Sequence, residues 1–227
     1  MTNVGAVERR VGRASVLFTA RADGNLSTLA GVDAEGGAER RAVLAQRLAL
    51  RRLCGGPQVH GTAVDLITSE QPRGAAPLTV PADARITGLS EVGVMVLAAD
   101  CLPVALVADT SVGAVHAGWR GLAAGVLEAA AARQQELDGT PPRHAIIGPS
   151  AGPCCYEVGP EVFAQFGLQA DGPGPIDLRA IALARLQAAG VGNVDVVERC
   201  TICDERYFSH RREGRRAGRQ AVVVWRS

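Results

Sequence analysis

The 227-residue chain contains no lysine, so every strong base is an arginine. It also lacks a basic surplus: 24 basic residues stand against 23 acidic ones, a formal net charge of +1. A nucleic-acid or anionic-membrane partner needs a basic footprint, and the only local one is the cluster Arg211, Arg212, Arg215, Arg216 and Arg219. No apolar stretch approaches the length of a membrane-spanning helix. The first thirteen residues, with Glu8, Arg9 and Arg10, have no apolar run of the kind a secretory signal carries, and are read as a flexible N-terminus. These absences predict a cytoplasmic protein without nucleic-acid or membrane partners. Disulfides are then not expected. The six cysteines, Cys54, Cys101, Cys154, Cys155, Cys200 and Cys203, are read as thiols, metal ligands or catalytic groups. Histidines number only four: His60, His116, His144 and His210. No internal repeat and no linker divides the chain, so residues 1–227 are expected to form a single domain.

What is present suits a layered α/β protein. Apolar residues make up 47% and charged residues 21%, which at this length supports a substantial core. Residues 92–98, 104–108 and 112–117 are short continuous apolar runs, as expected for strands buried on both faces. Further strands are predicted at 16–18, 59–68, 145–147, 194–197 and 221–225. Helices are predicted at 39–53, 122–137 and 177–189, the last with Asp177 as N-cap and Gly190 just past its end. Residues 70–83 and 148–159 read as loops. Strands and helices mix without strict alternation, which predicts α/β layers around a mixed sheet.

Three segments carry chemistry. They are Gln58-Val59-His60-Gly61, Ala99-Asp100-Cys101-Leu102-Pro103, and Val115-His116-Ala117-Gly118-Trp119-Arg120-Gly121. Each is expected to set a His or Cys at the end of an apolar strand, beside a turn. Two imidazoles and a thiolate make a competent zinc site whose fourth position stays open, the catalytic pattern. Taken singly, each has a plainer reading, a hydrogen-bonded core histidine or a small apolar cysteine, and spacing alone does not join them. Trp119-Arg120-Gly121 precedes a helix, which suits either an anion site or an ordinary turn with a solvated arginine. Ser209-His210-Arg211-Arg212 is either a substrate contact or a solvated basic turn. Cys200 and Cys203 form a CxxC, but a zinc ribbon needs a second pair at similar spacing. Cys154 and Cys155 are adjacent, which suits a tetrahedral site poorly, so these four are read as buried or loop thiols.

Taken together, the chain resembles the laccase-like family also called multicopper polyphenol oxidoreductases, of the YfiH/YlmD type. The matching pieces are QVHG at 58–61, ADARIT at 82–87, ADCLPV at 99–104, HAGWRGL at 116–122, GPSAGPCCYEVG at 148–159, DLRAIALARLQAAGV at 177–191, CTIC at 200–203, and FSHRREG with GRQAVVVW at 208–225. They run in the family's order over nearly the whole chain. The resemblance implies a layered α/β/β/α sandwich, and zinc ligands at His60, Cys101 and His116, with copper a possible occupant of the same site. It implies a purine nucleoside phosphorylase acting on adenosine, inosine, guanosine or methylthioadenosine with inorganic phosphate, together with adenosine deaminase activity, as a monomer or homodimer. Arg40, Arg120 and Arg211 are then the candidates for phosphate. Cys101, Asp83 and Asp100 are the candidate catalytic residues, the two carboxylates as proton carriers or, for Asp100, as an orienting group. The sequence departs from the family pattern at residues 22–29, at Glu39-Arg40 and at Gly55-Gly56-Pro57, which bears on substrate preference. The rival readings are a copper-dependent polyphenol oxidase, a peptidoglycan-precursor editing hydrolase using Cys101 with a histidine, and a non-enzymatic accessory protein. Four histidines are too few for a multicopper cluster.

Overall fold

The computed structural model describes residues 4–68 and 80–227, and its frame is two mixed sheets laid face to face. The first has five strands in the order β1 (Val7–Val11), β2 (Ala14–Phe18), β13 (Gln220–Arg226), β6 (Val92–Ala98) and β3 (Arg52–Cys54). Its neighbours are antiparallel except β3 beside β6. The second has six, in the order β12 (Asn193–Val196), β9 (His144–Ile147), β7 (Leu102–Val107), β8 (Val112–Ala117), β5 (Ala84–Thr87) and β4 (Val64–Ile67). Its two outer pairs are parallel and its inner pairs antiparallel. A two-residue ribbon joins β10 (Glu157–Val158) to β11 (Gly174–Pro175). The helices are α1 (Gly37–Arg47), α2 (Trp119–Ala124), α3 (Val126–Asp138), α4 (Pro160–Gln165), α5 (Leu178–Ala188) and α6 (His210–Glu213). Among the described residues, no helix is long and apolar enough to cross a membrane.

Side-chain alternation explains the layers. Successive strand residues face opposite sides, so a strand that is apolar throughout must be covered twice. In β6, Val92, Val94 and Val96 point into a core shared with Ala105 and Val107 of β7 and with Val112 and Ala114 of β8. That core lies between the sheets. Met95 of the same strand points the other way, onto Leu44 of α1 together with Leu17 and Val223. Leu102, Val104 and Leu106 of β7 face outward from the second sheet, onto Leu127 and Ala130 of α3 and Ala182 and Leu186 of α5. The result is helix, sheet, sheet, helix, as the sequence resemblance implies. The packing tolerates little: a Cβ at Gly148 would lie 2.2 Å from the Phe18 ring in the inter-sheet core.

Several elements differ from their sequence-based bounds. The first helix stops at Arg47, and Ala49 turns the chain with φ 53°. Residues 52–54 leave the helical pattern because they pair with Val92–Val94 of β6. The helix expected at 122–137 begins three residues earlier and breaks at Gly125, whose φ of 98° only glycine adopts freely. Strand structure expected at 59–68 is confined to Val64–Ile67. Within the stretch expected to be flexible, 1–13, Val7–Val11 is the edge strand β1, paired with β2, and residues 1–3 lie outside the described residues. So does most of the loop expected at 70–83.

Candidate active site and metal centre

The site caps one end of the inter-sheet core. β6 belongs to the first sheet and β7 to the second, so the chain crosses between sheets at Ala99-Asp100-Cys101. Asp100 makes that sharp crossover with φ 84°. His116 lies near the end of β8 on the face of Val112 and Ala114, which directs its ring between the sheets. The crossover therefore delivers Cys101 to the place where His116 arrives. His60 comes from a loop, not from the strand end that its apolar neighbours suggest, and adopts φ 60°.

Asp83 holds that loop. Fully buried just before β5, its Oδ1 accepts from His60 N (3.0 Å) and His116 Nδ1 (2.8 Å). Its Oδ2 accepts from Val59 N (3.1 Å) and Gly61 N (2.8 Å). Three successive backbone N–H groups thus curl around one carboxylate, a concave anion nest filled by the protein's own side chain. Two other side chains fasten the same loop. Gln58 exchanges two 2.8 Å hydrogen bonds with the Leu97 backbone of β6, and buried Arg85 donates to Pro57 O (3.3 Å) and Ala82 O (3.1 Å).

The consequence is convergence. The donor atoms of His60, Cys101 and His116 all lie within 4.8 Å of one another. His60 Nε2 is 3.9 Å from Cys101 Sγ, and the two imidazoles meet edge to face with centroids 4.8 Å apart. Because Asp83 takes the Nδ1 hydrogen of His116, the Nε2 lone pair is left for a cation. His116 is buried, Cys101 half-buried and His60 exposed, so solvent reaches the cluster from the side of His60.

The charges support one another. Burial opposes a charged Cys101, but the adjacent His116 and His60 outweigh it and bring the thiol down to about 6. Burial likewise opposes a charged His116, yet the Cys101 thiolate and Asp83 lift the imidazole to about 9. Burial pushes Asp83 upward, and its bonds from His116, Gly61 and Val59 more than offset this, leaving it below the usual carboxylate range. Without a metal, these opposite shifts favour the thiolate of Cys101 beside the imidazolium of His116 between about pH 6 and 9.

The other carboxylate named from sequence is placed differently. Asp100 accepts from Thr201 Oγ1 (2.7 Å), Ser209 Oγ (3.1 Å) and Arg211 N (2.7 Å), binding the 201 turn and the start of α6 to the crossover. The three candidate arginines also separate. A cavity of about 610 Å³ contains His60, Cys101 and His116 in its wall, with Ser27, Leu29 and Gly56. Its arginines are Arg41 and Arg219, and His210 also lines it. Arg120 and Arg211 line a second cavity of about 450 Å³, stacked on Trp119 and Tyr156 and accompanied by Glu157 and Glu161. Arg40 lines neither; its guanidinium donates to Asn25 O (3.1 Å) and Asp33 O (2.7 Å). Neither Arg41 nor Arg219 is among the arginines singled out from sequence as anion ligands, although Arg219 belongs to the basic cluster near the C-terminus. The available signals were an arginine three residues before buried Leu44 and another directly before a strand whose Gln220 pairs with Ala98, beside the crossover. The segments that depart from the family pattern, at Ser27 to Leu29 and Gly55 to Pro57, line the cavity that holds the His₂Cys cluster.

Residues 3–227 match the family described as multi-copper polyphenol oxidoreductase laccase. The chain is 42% identical to a protein of Xylella fastidiosa named purine nucleoside phosphorylase, over 74% of this chain and 70% of that one. It is 37% identical to a protein of Corynebacterium glutamicum with the same activity in its name, over 92% and 93%. Two crystal structures share the fold. One, of a Neisseria meningitidis protein, has a TM-score of 0.84 at 30% identity and covers 98% of this chain and 99% of its own. The other, YlmD from Geobacillus stearothermophilus, has a TM-score of 0.83 at 29% identity, covering 95% and 92%.

Proposed function

Because the chain belongs to the multi-copper polyphenol oxidoreductase laccase family, whose relatives at 37–42% identity are named purine nucleoside phosphorylases, we propose that it cleaves purine nucleosides with inorganic phosphate. The observation that carries this reading is a His₂Cys cluster in the wall of a nucleoside-sized cavity that also presents two arginines. The donor set fits one metal ion with an open position, and zinc is the ion we assign to His60, Cys101 and His116. When bound, it supplies a fixed positive charge at the cavity wall.

The chain's own residues do the rest. Arg41 and Arg219 place positive charge in the cavity, where it can hold a phosphate dianion against the sugar and balance charge as the glycosidic bond breaks. Holding both reactants together supplies much of the rate by removing the entropic cost of their encounter. Arg120 and Arg211 serve less directly, since Glu157 and Glu161 share their cavity and repel an anion. The departing purine needs a proton. His210 lines the cavity with its Nδ1–H donating to Gly214 O (3.0 Å), so Nε2 is the atom that, in the imidazolium form, carries the proton for that transfer. Asp83 and Asp100 have their oxygens committed to the framework, and we assign them positioning roles. Adenosine deamination in the same cavity is a second reaction that the proposal includes, detected as inosine formed without phosphate.

A multicopper oxidase reading, which the family's description suggests, lacks the histidines. Besides the two in the cluster, His144 bonds Asp195 at 2.8 Å in the second sheet, and His210, on the same cavity wall but outside the cluster, has its Nδ1 3.0 Å from Gly214 O. One observation favours a different second reading. Cys101 Sγ and the His116 imidazole lie within 4.8 Å and His116 Nδ1 is 2.8 Å from Asp83, a Cys-His-Asp order that suits a cysteine hydrolase, for which a cell-wall precursor is the substrate we would test. The test is to assay zinc-loaded wild type and Cys101→Ala for base release from inosine and adenosine, and to treat metal-free wild type with a muropeptide-like electrophile. Phosphate-dependent base release that Cys101→Ala abolishes supports the phosphorylase. Covalent trapping at Cys101 with no base release supports the hydrolase instead.

A further inference from the structure

The four remaining loop cysteines converge. Cys154 and Cys155 sit in the turn after Gly152, closed by hydrogen bonds from Cys155 N and Tyr156 N to Gly152 O (both 3.0 Å). Cys200 and Cys203 frame a second turn, closed by Asp204 N to Cys200 O (3.0 Å). The two turns are docked by a bridge between Ser150 and Cys200, with Thr201 N donating to Ser150 O (3.0 Å). All four Sγ atoms lie within 4.8 Å of one another. Cys203 Sγ is 3.4 Å from Cys154 Sγ and 2.7 Å from Cys155 Sγ, and Gly152 N donates to Cys200 Sγ at 3.3 Å.

Packing does not account for this cluster. Free cysteine is ordinarily a buried small apolar residue. Here Cys154 and Cys203 are exposed and the other two half-buried, outside the three apolar cores. Adjacency of Cys154 and Cys155 is the objection that sequence raises against a tetrahedral site. The turn removes it, because two successive side chains there reach the same partner, Cys203. In a zinc tetrathiolate with bonds near 2.3 Å, sulfur atoms lie about 3.8 Å apart, within the span observed here.

We propose that Cys154, Cys155, Cys200 and Cys203 form a second, structural zinc site, closed by four thiolates and separate from the His₂Cys centre. Four soft sulfur ligands select zinc and leave no open position for a substrate. Binding releases the thiol protons and involves no redox change. The site would staple the turn preceding Tyr156 to the turn carrying Thr201. Tyr156 packs on Arg211, and Thr201 bonds Asp100, so the staple secures the framework behind the active site without entering it.

The experiment counts zinc in the full-length protein, purified anaerobically and passed through gel filtration. Wild type is expected to hold two equivalents. Cys101→Ala should keep one, and Cys154→Ser with Cys203→Ser should keep the other. In case the double variant fails to fold, the wild type is also loaded with cobalt(II). Intense visible bands of a tetrathiolate that persist in Cys101→Ala support the site. A single zinc equivalent in wild type that Cys101→Ala removes overturns it, as does a Cys155–Cys203 disulfide found in the anaerobic protein by mass spectrometry. These outcomes do not depend on whether the enzyme is a phosphorylase.

Discussion

Replacing Asp83 by Asn isolates the group that builds the active site. The side chain keeps its size but exchanges one acceptor oxygen for an NH₂ donor. If the amide oxygen takes the Oδ1 position, it still accepts from His60 N and His116 Nδ1. The NH₂ then faces the N–H groups of Val59 and Gly61, donor against donor, and two hydrogen bonds are lost. Each unsatisfied buried group costs about 1–3 kcal/mol, which bounds the loss at about 2–6 kcal/mol. Val59 is exposed and water can reach this loop once it shifts, so the expected loss of stability is about 2–3 kcal/mol. The shift itself moves His60, and metal affinity should fall by roughly tenfold to a hundredfold, as for other groups that orient a ligand. Urea unfolding of metal-free protein and zinc competition with a chelator measure the two effects at pH 7. The sign with pH is also set. The folded carboxyl lies below its ordinary value, so its contribution is complete above about pH 4 and is lost as pH falls through the depressed folded value. The difference between wild type and variant should therefore narrow in acid. An unchanged unfolding midpoint together with unchanged zinc affinity would refute the reasoning.

Other perturbations have equally definite outcomes. In metal-free protein, alkylation of Cys101, mapped by peptide mass spectrometry, should stay near its maximum above pH 7 and fall as pH drops through about 6; a midpoint in the ordinary thiol range contradicts the thiolate pair. Gly118→Ala would set a Cβ 2.7 Å from the His60 ring and 3.1 Å from Cys101 Sγ, so zinc binding and turnover should collapse while the unfolding midpoint changes little. Arg219→Ala should raise the KM for phosphate by roughly tenfold to a hundredfold, the equivalent of about 1.5–3 kcal/mol for a charge-assisted hydrogen bond, whereas Arg40→Ala should leave it within a factor of two.

Strands covered on both faces were legible as continuous apolar runs, whereas the stacking of two sheets followed only from the family resemblance. The candidate ligand set was legible only through motifs, since His60 and His116 lie 56 positions apart and no spacing rule joins them. What joins them is the inter-sheet crossover at Cys101 and the carboxylate of Asp83, both tertiary features. The arginines show the limit of reading by neighbours in sequence. Arg40 and Arg41 differ by one residue, yet a helix turns about 100° per residue, so Arg41 lines the cavity of the His₂Cys cluster while Arg40 lines a different one and bonds Asn25 and Asp33. Gly125 was absorbed into a helical pattern because a single glycine is tolerated there, and only its φ reveals the break. The four-cysteine cluster was invisible for the same reason as the ligand set: two turns 45 residues apart meet through a bridge at Ser150 and Cys200.

The most direct test of the central claim is to follow inosine and adenosine with the zinc-loaded protein, with and without inorganic phosphate, and to identify the products by chromatography and phosphorus NMR. The account predicts free hypoxanthine and adenine with matching ribose 1-phosphate, only when phosphate is present. Zinc bound at His60, Cys101 and His116 with neither base nor ribose 1-phosphate released would contradict it.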